Sequence, residues 1–290
     1  MGEQGVKKVR IGMVNYINTA PIYEVWKNNV NNPDWVVTEE PPSTLNFLLA
    51  GDRLDLGMVS SYEYAARPHK YRLLRDLSIS ADGPVGSVFL FSTIRPEELA
   101  NKLVLLTGQS QTSVALVKIV LEEFYLIKPR YVVGDINDPR SYREEVAAVL
   151  AIGDDALRLR EEQRYPIQLD LADVWNKHSG LPFVFAVFAV REEFVAAQPV
   201  VLTEVWQALR NCRDTGKKHL REISSLVAPR IPMDAEACYR YLQKIQHTLG
   251  SDHQQALKTF FQYLIQRGDA SDQALPLKFF PQEPAVNHEK

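Results

Sequence analysis

Short polar side chains gather at five places along this chain, each beside a run of apolar residues. In NYINTAP, Asn15, Tyr16, Asn18 and Thr19 stand together ahead of Pro21. SSYE sets Ser60 beside Ser61, DGPVGS carries Gly86 and Ser87, TGQSQTS carries Gly108, Ser110, Gln111 and Thr112, and GDDA carries Asp154 and Asp155. Hydroxyls, amides and glycines offer donors and acceptors without a bulky charge, which suits holding a small polar ligand against backbone N–H groups. The same residue types are the ordinary N-caps of helices, so any one of these turns explains itself as a cap. NYINT holds more polar groups than a cap uses. With Thr19 as the cap and Pro21 in the first helical turn, Asn15 and Asn18 are in excess. The excess makes Asn18 a ligand candidate, whereas Asn15 has two roles open to it, a ligand contact or a tie within the turn. Asp154 is open between carboxylate chemistry and a place in the turn, and Asp155 reads as a helix cap.

The elements that must position these residues alternate. Strands are expected at Val9 to Val14, Trp35 to Glu39 and Leu54 to Val59, with helices at Pro21 to Lys27, Ser43 to Ala50 (Ser43 as N-cap) and Ser60 to Ala66. This βαβαβα opening implies a largely parallel sheet covered by helices. Strands at Leu73 to Ser80 and Val85 to Ser92 follow, and a second unit then begins near Ser92 to Pro96. It comprises helix Glu97 to Ala100, strand Lys102 to Leu106, helix Thr112 to Tyr125, and strands Tyr131 to Gly134 and Ala147 to Ile152, then helix Asp154 to Arg160. FVFAVFAV, Phe183 to Val190, reads as a strand buried on both faces. Helices dominate from Glu192 onward, at Val201 to Thr215, Lys217 to Leu226, Ala235 to Thr248 and Asp252 to Arg267. The Pro-rich tail is expected to be partly irregular, with Phe279 and Phe280 docked on the body. Two α/β lobes follow, one of residues 1–93 plus 190–290 and one of residues 94–189, joined by two crossings and enclosing a ligand cleft. In open α/β sheets that cleft lies at the carboxyl ends of strands, where helix N-termini favour anions.

Composition sets the outer limits. At 290 residues, 46% hydrophobic and 24% charged, the chain is long enough for a substantial core. The net charge of −3 with scattered Lys and Arg does not resemble a nucleic-acid binder. Cys212 and Cys238 lack CxxC spacing and read as buried thiols of a reducing compartment. The N-terminus lacks the long apolar run of a secretory leader, and no stretch approaches membrane-spanning length, so the expected location is the cytoplasm. Neither GxGxxG after a strand nor GxxxxGK[ST] occurs, and no histidine pair has HExxH spacing, so no metal site is expected. His178, ahead of the returning strand, reads as an ordinary loop histidine. A serine nucleophile would need a base and an orienter that the sequence does not display.

Taken in order, VNYINTAPIYEVW, GDRLDLGMVSSYEYA, DGPVGSVFLFS, TGQSQTSVALVKIVLEE, AVLAIGDDAL and SGLPFVFAVFAVREEF resemble the chorismate dehydratases of the futalosine route to menaquinone. The likeness spans Val9 to Phe194. It implies a two-lobed, type II periplasmic-binding-protein-like clamshell acting as a cytoplasmic enzyme without a cofactor. The implied substrate is chorismate and the implied product 3-[(1-carboxyvinyl)oxy]benzoate. The ligand-associated asparagine and serine of that family match Asn18 and Ser87. Asn15, Tyr16, Ser60, Ser61, Gly86, Gly108, Ser110, Gln111, Thr112 and Asp154 complete the expected substrate-binding set. Two alternatives share the fold: a solute-binding receptor, which is normally exported, and the later naphthoate-forming enzyme of the same route, which relies on a histidine with no evident counterpart here.

Overall fold

The computed structural model describes residues 8–138, 142–231 and 233–282. Residues 1–7 of the N-terminal stretch weighed above as a leader and the last eight residues of the tail therefore lie outside the described residues. In chain order the elements are β1 (Val9–Met13), α1 (Ala20–Asn29), β2 (Trp35–Glu39), α2 (Pro42–Ala50), β3 (Leu56–Ser60), α3 (Ser61–Ala66), β4 (Tyr71–Ala81), β5 (Val88–Ser92), β6 (Leu103–Thr107), α4 (Gln111–Ile119), β7 (Arg130–Gly134) and β8 (Val146–Ile152). They continue with α5 (Gly153–Glu162), β9 (Ile167–Asp170), α6 (Leu171–Ser179), β10 (Phe183–Arg191), α7 (Glu192–Ala197), α8 (Pro199–Lys218), α9 (Leu220–Val227), α10 (Ala235–Lys244), α11 (Ser251–Gln266) and β11 (Phe279–Phe280).

Two sheets result. The first has the order β11-β4-β10-β3-β1-β2, and the second β7-β6-β8-β5-β9. β1 runs parallel to β2 and β3, while β10 lies antiparallel between β3 and β4. In the second sheet β6 is parallel to β7 and β8, and β5 is antiparallel to β8 and β9. β3, β5 and most of β10 are buried along their length, as strands covered on both faces must be.

The chain crosses between sheets at residues 82–87 and returns at residues 180–182, flanking β5 and β10. The expected limits of 93 and 190 are displaced from these points, because β5 pairs with β8 and β9 and all of β10 pairs with β3 and β4. Other boundaries shift for local reasons. Ser43 is not the cap of α2: Pro41 holds that position, and the Ser43 N–H donates instead to Gln109 O at 3.1 Å. The helix expected over Thr112 to Tyr125 stops as α-helix at Ile119 and widens into a π-turn over Val120–Phe124. The helix expected at Ala235 to Thr248 ends at Lys244, and Gln246 then pairs with Ser80 on β4. Phe279 and Phe280 dock as a short strand on β4.

Helices α7 to α11 belong with the first sheet. α8 lies so close to α1 that a Cβ at Gly216 would stand 1.7 Å from the Pro21 carbonyl oxygen, so only glycine fits there.

Candidate active site

Four helical starts face one another where the sheets meet. They are the turn before α1, the β3–α3 junction, the N-terminus of α4 and the β8–α5 junction. Between them lies a cavity of about 50 Å³ lined by Tyr16, Asn18, Thr19, Ser60, Ser87, Ser110, Ser113 and Gly153, with Val14, Met58, Ile79, Val85, Ile152 and Phe185 as apolar walls. None of its lining residues is charged. Any anion held here would rest on hydroxyls, the Asn18 amide and the partial positive charge of helix N-termini.

The turn before α1 is tied by Thr19, whose hydroxyl donates back to Val14 O at 2.7 Å instead of capping the helix. Thr19 thus occupies the cap position without doing the cap's hydrogen bonding, and α1 starts with Pro21 as its second residue. Asn18 is left over. Its backbone carbonyl accepts from His247 Nε2 at 2.8 Å, and its side-chain Oδ1 is buried with no partner among the described residues. Leaving such an oxygen unpaired costs about 1–3 kcal/mol, which a ligand donor would recover. Burial pushes His247 down to about 4, so its ring is neutral and the proton sits on Nε2.

Ser87 lies fully buried at the crossing into β5. Its hydroxyl oxygen accepts from Tyr241 Oη at 2.8 Å, and its carbonyl accepts from Gly153 N at 2.8 Å. The loop before it is held by Asp170, the N-cap of α6. Its carboxylate accepts from the N–H groups of Val85, Gly86, Ala172 and Asp173. Gly86 therefore acts through its backbone, its carbonyl also accepting from Arg160 at 3.1 Å. Gly153 has φ +56°, and Tyr16 packs 3.0 Å from where its Cβ would stand, so glycine lets the second lobe close on the first.

Of the expected residues, the cavity collects Tyr16, Asn18, Ser60, Ser87 and Ser110. The others have different surroundings. Asn15 is exposed, donating to Glu39 at 2.7 Å and accepting from Arg230 at 3.2 Å, so it ties the turn outward. Ser61 and Thr112 are fully buried with their hydroxyl oxygens 3.2 Å apart; Ser61 donates to Val184 O and Thr112 accepts from Tyr62 N. They join α3 to α4 across the lobes. Gly108 and Gln111 line a neighbouring hollow, and Gln111 also accepts from Asn46 Nδ2 at 2.8 Å. Asp154 accepts from Ile17 N at 3.3 Å, and burial raises its carboxyl above the usual range. Tyr16 donates to Gln109 at 2.6 Å and Gln109 donates to Asp155 at 3.0 Å, a second chain of bonds between lobes. His178 lies off the cavity, stacked on Phe124 with ring centroids 3.6 Å apart.

Three residues around the site carry no local sequence signal for it: Tyr241, His247 and Asp170. Asp170 shows the N-cap pattern ahead of α6, but nothing local connects it to the Ser87 loop. Among the described residues no cluster of His, Cys, Asp and Glu could hold a metal ion, and no helix is long and apolar enough to cross a membrane.

A family model described as menaquinone biosynthesis matches residues 9–266. A chorismate dehydratase of Thermus thermophilus is 32% identical over 271 residues, covering 88% of this chain and 94% of that protein. A solved structure from Archaeoglobus fulgidus superposes with a TM-score of 0.73 at 19% identity, covering 91% of this chain and 99% of that one. The periplasmic aliphatic sulphonate binding protein of Escherichia coli gives 0.64 at 12% identity, covering 92% and 94%. These two likenesses bear on the fold alone, that of a two-lobed, periplasmic-binding-protein-like clamshell. With the family model spanning both lobes and the relative matching nearly end to end, the chain belongs to the menaquinone biosynthesis family.

Proposed function

We propose that this chain is a chorismate dehydratase, a hydro-lyase that converts chorismate to 3-[(1-carboxyvinyl)oxy]benzoate and water. The observation that carries the reading is Asn18 Oδ1, buried and unpaired among the described residues, on a residue that lines the same uncharged cavity as Ser87. The likeness to the Thermus enzyme over nearly the whole chain supports the choice of substrate.

Chorismate carries a cyclohexadiene ring. The bond to hydrogen breaks at the ring carbon bearing the enolpyruvyl ether, and its electron pair becomes a ring double bond. The neighbouring carbon–hydroxyl bond breaks at the same time, and water leaves. No oxidation state changes overall, and aromatisation drives the step. The protein's task is then orientation and charge placement rather than strong base chemistry. In this reading the Asn18 carbonyl and the Ser87 hydroxyl hold the reacting edge of the ring, and the substrate's enolpyruvyl carboxylate accepts the departing proton and passes it to the leaving hydroxyl, which departs as water. The N-termini at Ser110 and Gly153 supply donors for the carboxylates, with the Ser60, Ser110 and Ser113 hydroxyls beside them. A cavity of about 50 Å³ is smaller than the several hundred Å³ usual for ligand pockets, so the lobes must separate to admit substrate. The Tyr16–Gln109–Asp155 and Ile17–Asp154 bonds break and reform in that motion.

Incubation with chorismate and no added cofactor, followed by absorbance and mass detection, tests the proposal. An aromatic product one water lighter, formed catalytically, is expected. Tight chorismate binding without turnover would instead make the chain a receptor.

A further inference from the structure

Both residues proposed to meet the reacting ring are gripped by one short C-terminal segment. Tyr241, on the last turns of α10, donates to Ser87 Oγ at 2.8 Å across 154 positions of chain. His247, six residues on, donates through Nε2 to Asn18 O at 2.8 Å across 229 positions. The segment between them is itself held. Ser80 N donates to Gln246 O at 2.9 Å, Gln246 N to Ser80 O at 2.8 Å, and Ser78 N to His247 O at 3.2 Å. These bonds continue β4 on its outer side, so His247 starts from backbone anchored to the first sheet.

We infer that Tyr241 and His247 are positioning residues of this site: Tyr241 directs the Ser87 hydroxyl into the cavity, and His247 holds the turn that presents Asn18. The inference rests on the function proposed above. A serine hydroxyl has one proton to give and two lone pairs to fill. Because Tyr241 fills a lone pair as donor, the Ser87 proton points away from it, and Ser87 lines the cavity. Burial raises the Tyr241 phenol well above its usual range, which keeps its proton in place. His247 acts on the backbone of Asn18, so it sets where the amide sits without touching what the amide holds. Its ring lies in the wall between the cavity and the hollow on the far side of α8 and α10, and it lines only the latter. Burial disfavours its protonation, and Arg213 and Lys217 on α8 disfavour it further.

The test is a pair of double-variant cycles read in steady-state kinetics with chorismate. Tyr241→Phe keeps the ring and removes only the hydroxyl. It is expected to lower kcat by about tenfold with KM changed by less than about threefold. In a Ser87→Ala background the same change should cost less than about twofold, because the group it directs is gone. His247→Phe should lower kcat by about tenfold alone and by less than about twofold in an Asn18→Ala background, with His247→Gln, which keeps a donor, recovering most of the loss. A merely structural role would lower activity by the same factor in both backgrounds. Unfolding midpoints of the five single variants show which of them fold; if His247→Phe does not, His247→Gln and Tyr241→Phe still decide the question. Turnover by Tyr241→Phe within about twofold of wild type, or full additivity with Ser87→Ala, overturns the inference while leaving the proposed reaction standing. A wild-type protein inert to chorismate overturns both.

Discussion

The cavity between the lobes and the hollow on the outer face of the first lobe make opposite claims to be the site. The hollow measures about 880 Å³ and is lined by Arg213, Lys217, Lys218, His219, Arg221 and His253 among others, whereas the cavity measures about 50 Å³ and has no charged lining. Size and charge both favour the hollow. Yet much of its charge is already answered within the protein: Arg213 meets Asp76 and Asp214, Arg221 meets Glu236 at 2.9 Å, and His219 meets Glu222 at 2.5 Å. The cavity holds the reverse arrangement, a buried amide oxygen with no partner and helical starts from both lobes. A ligand site is marked by unmet hydrogen-bonding capacity held rigidly in place, more than by volume.

The largest effect expected from this contrast is on turnover. Ser87→Ala and Asn18→Ala should each lower kcat by about a hundredfold or more while circular dichroism and the unfolding midpoint stay near wild type. The wall between the two regions comes next. Gly216→Ala forces α8 away from the Pro21 carbonyl and should lower stability by about 1–3 kcal/mol or more, read as a shift in the urea midpoint. A smaller, pH-dependent effect belongs to His247. Its folded value of about 4 lies below its ordinary 6.5, so the unfolded chain binds more protons between those values. Its contribution is present above about pH 6.5 and is lost as pH falls toward about 4. Urea unfolding at pH 7 and pH 5 should show a drop in the wild type that is smaller in His247→Gln. Smallest of all, Lys217→Ala and Lys218→Ala, in the hollow, should leave kcat and KM within about twofold of wild type. A large loss in either lysine variant would move the chemistry outward.

The alternation of strands and helices was legible because the apolar runs are short and closed by Gly, Pro and hydroxyl residues. Tyr16, Asn18, Ser60, Ser87 and Ser110 do share one cavity, since strand ends in an α/β fold converge on a single edge. The crossing points were not legible. Val85 to Ser92 follows β4 after a short turn and looks like its continuation, but its partners β8 and β9 arrive far later in the chain. Ser61 and Thr112 carry hydroxyls as Ser60 and Ser110 do, and one position beyond Ser60 or two beyond Ser110 turns the hydroxyl from the cavity into the α3–α4 contact. Asn15 resolves as an outward tie because Glu39 and Arg230, remote in sequence, stand beside it. Tyr241 and His247 read as parts of an amphipathic helix; only tertiary packing brings them to the turns they hold.

The most direct test is a crystal structure with the product, 3-[(1-carboxyvinyl)oxy]benzoate, bound. The ring is expected between Asn18 and Ser87, with Asn18 Oδ1 paired and the carboxylates at the N-termini near Ser110 and Gly153. A ring seated instead in the outer hollow beside Lys217 and Arg221 would contradict the account.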